Sequence, residues 1–364
     1  MSSSQQKQAE FPWVLVDRCF LPVVFSHAAA VILSVVFNTL RISQISCFTL
    51  FFFICSSSLA TVFFYHNLKV TTAGKSVLIT GCDSRLGSLF ARQLDSLGFT
   101  VYAGCLRVES ETAAKLKSES SGRLHLIKLD VTSESDIKAA VNYIKKNLPH
   151  SQAGIWAVIN CASWAAFGEV EWAPFSNFQR STEVNLLGAI RVTQSFLPLL
   201  RPTRGRIINV VSLLGRVSSR ARAPYCTAKS AVEAFVECLR LEMKRWGVDV
   251  ILVEPGDALT GALEWFSEER VLRQAREAWQ AMDAAQKEEY GEKHFVDTVR
   301  AVHDYIKDDK VEKEIDMTPV LRALVDAVVR TFPLPRYQVL TPAEWVQTQV
   351  AEHFPRSIYD ILYN

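Results

Sequence analysis

Hydrophobic and polar positions divide the chain into three regimes. In the first, residues 19–40 contain no Asp, Glu, Lys or Arg; Arg41 interrupts, and residues 42–68 again lack all four. Each run is long enough to cross a hydrocarbon core of about 30 Å as a helix. The second, built on "CFTLFFFICSSSLATVFFY", is the stronger; the first carries Pro22, His27 and Asn38. Neither shows the amphipathic stripe of a helix that packs on a soluble core. A signal peptide fits poorly, because the apolar material is too long and has no basic start, and a mitochondrial presequence would need more Arg than Arg18. Residues 1–70 are therefore expected to form a membrane anchor, with candidate spans at 19–40 and 45–65. Lys69 and Lys75 after the second run place the following body on the cytoplasmic side, and a hairpin would put both of its ends there.

The second regime begins at Lys75. Short, uniformly apolar runs ("SVLIT", "FTVYAGC", "LHLIKLD", "IWAVIN", "GRIINVV", "VDVILVEPG") alternate with segments of helical period. Uniformly apolar strands are expected where helices cover both faces of a sheet. The alternation predicts an α/β domain over 71–364 with a doubly wound parallel sheet. Two helices matter most: a long one ending near Leu200 and one from about Pro224 to Trp246. In the third regime, residues 258–317 turn helical and highly charged, either a solvated excursion or a lid over the strand ends. A helix at "TPVLRALVDAVVRTF" and a strand at "RYQVLT" follow, and residues 342–364 close the chain as an aromatic amphipathic segment that packs on the core or touches a membrane.

Charge removes one class of partner. The net charge is +2, but residues 1–70 hold four basic and two acidic side chains, leaving 36 of each sign in the body. A neutral body argues against nucleic acid. The eight cysteines show no C-x-x-C spacing, so neither a metal site nor a disulfide framework is expected, and they read as reduced small hydrophobes.

Two constellations carry chemistry. "VLITGCDSRLG", residues 77–87, runs from a strand through a glycine turn into a helix. A helix N-terminus exposes unpaired N–H groups that suit a pyrophosphate. Gly81 permits the tight turn, Gly87 permits close helix–strand packing, and Thr80, Asp83, Ser84 and Arg85 complete the cradle. Further on, Tyr225 and Lys229 in "YCTAK" lie four apart, on one helix face. An ammonium beside a phenol lowers its pKa from about 10 and makes Tyr225 an acid/base near neutral pH. Ser212 ends a strand thirteen residues earlier and can hydrogen-bond the reacting oxygen.

With "TGCDS", "FGEVE", "SFLPLLR", "GRIINVVSLLGR", "APYCTAK" and "VEPG", the chain resembles a short-chain dehydrogenase/reductase over roughly 75–341. Within that superfamily it is similar to the membrane-associated branch of retinol, 3-hydroxybutyrate and type 2 17β-hydroxysteroid dehydrogenases. The resemblance implies a Rossmann-type domain that binds NAD or NADP, with NAD preferred. It implies that Asn185 holds a water in a proton relay with Lys229 and that Asp130 contacts the adenine. Asn160 opens the family's N-N-A-G motif, Lys229 also binds the nicotinamide ribose, Pro255 and Gly256 flank the nicotinamide, and Thr260 binds its carboxamide. It further implies a homodimer through the helices bearing Asn185 and Tyr225.

Three departures stand out. Arg85 replaces the middle glycine of T-G-x-x-x-G-x-G; if that position has positive φ, arginine is strained there, and its side chain either crowds the cofactor or pairs with a phosphate. N-N-A-G reads "NCAS", residues 160–163, losing a sheet-stabilising asparagine, and Trp164 then fills part of a substrate pocket. The second strand ends "AGCLR", with no acid for a ribose hydroxyl, while Arg107 can favour the 2′-phosphate of NADP. The expected substrate is a hydrophobic secondary alcohol or ketone, a steroid or sterol first and a retinoid second. A short hydroxy acid is the third, with Arg220 and Arg222 near the site as carboxylate partners, although Arg222 reads slightly better as a structural salt-bridge residue. The competing reading is a catalytically weak lipid- or steroid-binding protein of the same fold. The expected location is the endoplasmic reticulum membrane with a cytosolic catalytic domain, the alternative a mitochondrial membrane.

Overall fold

The computed structural model describes residues 13–42, 44–149, 152–257, 268–307 and 316–363, and the chain divides into two compact units. The first unit comprises residues 1–70 with 330–332. Helices α1 (Trp13–Thr39) and α2 (Cys47–Asn67) form a hairpin whose turn places Arg41 at φ 53°. Ser46 caps α2 by accepting from the Thr49 N–H, and His27 meets Phe51 edge-on at 5.7 Å. Both helices contain a 21-residue stretch long and apolar enough to cross a membrane, Cys19–Thr39 and Cys47–Asn67. Phe48, Phe52 and Phe53 of α2 are exposed. Thr331 N–H donates to Leu68 C=O at 2.9 Å, and the Tyr65 and Phe332 rings lie 5.3 Å apart, so 330–332 belong with this unit.

The second unit, 71–329 with 333–363, is built on seven parallel strands in the order β3-β2-β1-β4-β5-β6-β7. They are β1 (Ser76–Thr80), β2 (Thr100–Cys105), β3 (Leu124–Lys128), β4 (Ala157–Asn160), β5 (Arg206–Val210), β6 (Asp249–Pro255) and β7 (Arg336–Val339). All five residues of β1 and all four of β4 are buried, because the sheet is covered on both faces. Ile79 stands opposite Ala103 of β2 and Ile159 of β4. Strand order reverses at the β1–β4 boundary, where the carboxyl ends of open α/β sheets leave a crevice.

The connecting helices are α3 (Arg85–Ser96), α4 (Glu111–Ser118), α5 (Glu134–Asn147), α6 (Phe175–Ser181), α7 (Ala189–Leu200) and α8 (Ala223–Met243). Ser84, Ser110 and Ser133 cap α3, α4 and α5 through their hydroxyls. The long helix expected to end at Leu200 is real, but a π-helical stretch, Thr182–Gly188, joins α6 to α7 within it. Beyond β6, α9 (Glu268–Ala281) and α10 (Ala284–Lys307) bury apolar faces against residues 165–172, with Phe295 5.1 Å from Trp172 and 4.8 Å from Trp279. Gly291 breaks α10 with φ 68°. The chain then forms α11 (Thr318–Val329), β7, α12 (Pro342–His353) and α13 (Arg356–Tyr363). Glu254, fully buried on β6, accepts from Arg216 and Arg336; burial raises its carboxyl pKa and the two arginines oppose that.

Candidate active site

The glycine turn between β1 and α3 has the shape a dinucleotide requires. Gly81 sits at φ +74°, and a Cβ there would lie 2.8 Å from Ala162 Cα. A Cβ on Gly87 would lie 2.3 Å from Gly81 C=O, so only glycine lets α3 close on the turn. Ser84 Oγ donates to Gly81 C=O at 2.7 Å and accepts from Gly87 N–H, which fixes the cradle at the helix N-terminus. Arg85 is the first residue of α3, has no positive φ and is exposed, so the strain considered for it is absent. Its side chain does not line the groove described next.

A groove of about 1290 Å³ runs across the carboxyl ends of the strands. That exceeds the roughly 300–1,000 Å³ of a typical small-molecule cleft. At the glycine turn it is lined by Gly81, Asp83, Ser84, Arg107 and Asp130; at its centre are Tyr225 and Lys229; towards α6 and α9 are Trp164, Phe175, Phe178 and Gln274. Asp130 is held by Thr132, whose N–H and hydroxyl both donate to Oδ1 at 2.9 and 2.7 Å. Arg180 lies over the Trp164 ring at 5.8 Å. The glycine cradle, the helix N-terminus and the groove length together fit a nicotinamide dinucleotide.

Tyr225 and Lys229 project from one face of α8, with Lys229 Nζ 5.5 Å from the Tyr225 ring centroid. Lys229 is buried and donates to Val210 C=O at 3.0 Å. Burial lowers its pKa to about 8. Burial pushes the Tyr225 phenol in the other direction, up to about 12, although the Ser163 and Ser212 hydroxyls pull it down. The expectation that Lys229 sets a low phenol pKa is thus corrected: in this structure desolvation outweighs every neighbour. A phenol so placed is protonated at neutral pH and suited to donate. Ser212 ends the β5 segment and is buried, its Oγ also accepting from Leu214 N–H.

The remaining sequence candidates divide. Thr80 does not reach the groove: its Oγ1 accepts from Cys161 and Ala162 N–H, both at 3.0 Å, and so shapes the 160–163 turn. Asn160 is turned into the core, where Nδ2 donates to Thr193 Oγ1 and Asn209 Oδ1; it locks β4 to β5 and α7 instead of lining the groove. Asn185 sits in the π-helical stretch, its Oδ1 accepting from Trp164 N–H and its Nδ2 donating to Trp164 C=O and Ser181 Oγ. Its carboxamide therefore holds Trp164 instead of meeting Lys229. Arg222 pairs with Asp257, whose carboxylate comes from the loop after β6; this is the structural salt bridge expected for it, and its assignment as a substrate contact is corrected. Pro255 ends β6, and Gly256 N–H donates to Val339 C=O at 2.8 Å. Thr260 lies outside the described residues.

Sequence reasoning missed Ser163, whose buried Oγ lies beside the Tyr225 phenol without a well-formed hydrogen bond, and the Glu344–Asp257 contact, in which Asp257 N–H donates to Glu344 Oε1 at 2.8 Å. None of the eight cysteines forms a disulfide in the structure; burial raises the thiol pKa of Cys82 and Cys105, the latter to about 12. Among the described residues no cluster of three or more His, Cys, Asp or Glu could hold a metal.

Residues 75–270 match the model of the short chain dehydrogenase family. The chain belongs to that family. It is 37% identical over 317 residues to the mitochondrial D-beta-hydroxybutyrate dehydrogenase of Rattus norvegicus, covering 86% of this chain and 91% of that one. It is 35% identical to 17-beta-hydroxysteroid dehydrogenase type 6 of Bos taurus (77% and 87% covered) and 37% identical to retinol dehydrogenase 16 of Mus musculus (72% and 80% covered). A short-chain dehydrogenase from Streptomyces avermitilis shares the fold, with a TM-score of 0.60 at 21% identity over 79% of this chain and 95% of that one. The protein is an oxidoreductase of the alcohol dehydrogenase/reductase type. Enzymes of this family act on small molecules and generally use NAD(H) or NADP(H).

Proposed function

We propose that the protein is a membrane-attached dehydrogenase that interconverts a hydrophobic secondary alcohol and its ketone, with a steroid or sterol as the leading substrate class and a retinoid next. The observation that carries the reading is the convergence of Tyr225 and Lys229 in a groove walled towards α6 by Trp164, Phe175 and Phe178, with the Ser212 hydroxyl against the Tyr225 phenol. The engagement of Arg222 by Asp257 speaks against a short hydroxy acid, because a buried carboxylate needs its own counter-charge. The likeness to a 17-beta-hydroxysteroid dehydrogenase and a retinol dehydrogenase points the same way.

Gly81, Ser84 and the α3 N-terminus would hold the pyrophosphate, Asp130 the adenine end, and Lys229 the nicotinamide ribose. The bound cofactor supplies or takes the hydride. Tyr225 gives its proton to the substrate oxygen in reduction and takes it back in oxidation. Ser212 donates a hydrogen bond to the same oxygen, and the Lys229 ammonium favours the phenolate. Asn185 fixes Trp164 through its carboxamide. NAD is the assigned cofactor; Arg107, exposed at the groove, is the residue through which NADP would compete. The two apolar helices support attachment to the endoplasmic reticulum membrane; the rat relative's name supports a mitochondrial one, and imaging of the tagged protein separates them.

Initial rates of the detergent-solubilised protein on 17β-estradiol, retinol and 3-hydroxybutyrate, each with NAD and NADP, test the reading. Fastest turnover of estradiol with NAD, abolished in Tyr225→Phe, is the expected result. Fastest turnover of 3-hydroxybutyrate would reassign the substrate. No turnover, with no change in nicotinamide fluorescence on titration with NADH, would replace the enzyme by a binding protein of the same fold.

A further inference from the structure

Between two pinned residues lies a buried hydroxyl whose nearest interaction is with the Tyr225 phenol, without a well-formed hydrogen bond. Cys161 and Ala162 are tied by their N–H groups to Thr80 Oγ1. Trp164 is tied through both its N–H and its C=O to Asn185, at 2.9 and 2.7 Å. Ser163, held between these anchors, has little backbone freedom, so the direction of its side chain is set. It lines the groove in company with Tyr225 and Lys229; its buried Oγ lies beside the Tyr225 phenol without a well-formed hydrogen bond to any protein group. A buried polar group left unpaired costs free energy and is retained where something completes it. The groove is where that something binds.

We propose that Ser163 is a further catalytic residue, whose Oγ–H donates a hydrogen bond to the reacting oxygen of the substrate alongside Tyr225 and Ser212. The inference rests on the reading of Tyr225 as the acid/base. In oxidation the substrate C–H bond breaks and its electron pair leaves as hydride to the cofactor. The O–H proton passes to Tyr225, and a C=O double bond forms; reduction reverses each step. Ser163 keeps its own proton throughout. A ketone oxygen offers two lone pairs, which Tyr225 and Ser212 can fill. An oxygen carrying developing negative charge offers a third, so a third donor acts mainly in the transition state. That the Ser163 and Ser212 hydroxyls both favour the Tyr225 phenolate agrees with their flanking the same atom.

The test uses full-length Ser163→Ala, Ser163→Thr and Tyr225→Phe proteins in detergent, with whichever of estradiol, retinol and 3-hydroxybutyrate the natural protein turns over fastest. Loss of one such donor is expected to lower kcat by about 10²-fold. KM and the NADH dissociation constant should stay within about threefold, as befits a transition-state contact. Ser163→Thr, which keeps the hydroxyl, should recover most of the loss, and the acidic limb of the kcat/KM profile for oxidation should move to higher pH in Ser163→Ala. An unchanged kcat in Ser163→Ala overturns the proposal, as does a fall in kcat accompanied by equal losses of NADH binding and melting temperature. Full activity in Tyr225→Phe, or no turnover by the natural protein, removes the acid/base reading itself and the proposal with it.

Discussion

Single atoms decide most of the site. At Gly81 an added methyl would meet Ala162 Cα at 2.8 Å on a backbone already at φ +74°. Left-handed backbone costs a non-glycine residue about 1–2 kcal/mol, and overpacking adds roughly 1–3 kcal/mol. Gly81→Ala should therefore lower the melting temperature and weaken NADH binding more than tenfold, read by thermal denaturation and fluorescence titration. Arg85→Gly is the contrast. Its backbone needs no glycine, so the change should cost at most about 1 kcal/mol and leave NADH binding within a few-fold. Lys229 gives a pH signature. Its folded pKa of about 8 lies below the 10.5 of a free lysine, so the unfolded chain binds more protons between those values. Stability must then rise with pH from 8 towards 10.5 on account of this residue. Tyr225, raised to about 12, acts in the opposite sense above pH 10, because the unfolded phenol loses its proton first. Melting curves of Lys229→Met should lose the upward contribution between pH 8 and 10 that the natural protein shows; identical pH slopes in the two would count against a buried, destabilised ammonium.

At the scale of elements, what was legible in the sequence was what is local in the chain. The β1–turn–α3 unit is specified within residues 76–96, and Tyr225 and Lys229 need only the pitch of α8 to meet. The partners that were not legible join distant positions. Arg222 finds Asp257 35 residues away, and Asp257 finds Glu344 a further 87 away. The π-helical stretch at Thr182–Gly188 is hidden for the same reason. Its hydrophobic period looks continuous, and its Asn185 is bonded to Trp164, 21 residues earlier. The charged segment after β6 was read both as a solvated excursion and as a lid, and its described part has one solvated and one buried face. Exposed charges such as Arg276 and Glu277 face outward, while Ala275, Ala278, Met282 and Phe295 are buried against Phe167 and Trp172. Phe295 holds this contact between α9 and α10. Phe295→Ala should cost about 3–5 kcal/mol in local packing, shown as faster proteolysis after residue 282 and a raised substrate KM with the NADH dissociation constant unchanged.

At the scale of the whole molecule, two units of opposite surface chemistry share one chain. The second unit hides its apolar residues in a sheet covered on both faces, and its 36 basic and 36 acidic side chains from residue 71 onward balance. The hairpin does the reverse. Residues 47–67 contain no Asp, Glu, Lys or Arg, none of them is buried, and Phe52 and Phe53 are 58% and 67% exposed. A 21-residue helix rises about 31 Å at 1.5 Å per residue, matching a hydrocarbon core of about 30 Å. In water such surface would drive association; in lipid it would be satisfied, and a hairpin that crossed twice would return the chain to the side from which it entered. The full-length protein should stay in the membrane pellet after alkaline carbonate washing. A tag before residue 13 and the body after residue 71 should be digested together by protease added to one side of sealed vesicles. Placing arginine at both Leu50 and Ile54, each costing about 2.5–3.5 kcal/mol at the centre of a span, should release a large share of the protein to the wash. Retention of that variant, or protection of one end while the other is cut, would show that the hairpin does not cross the bilayer twice.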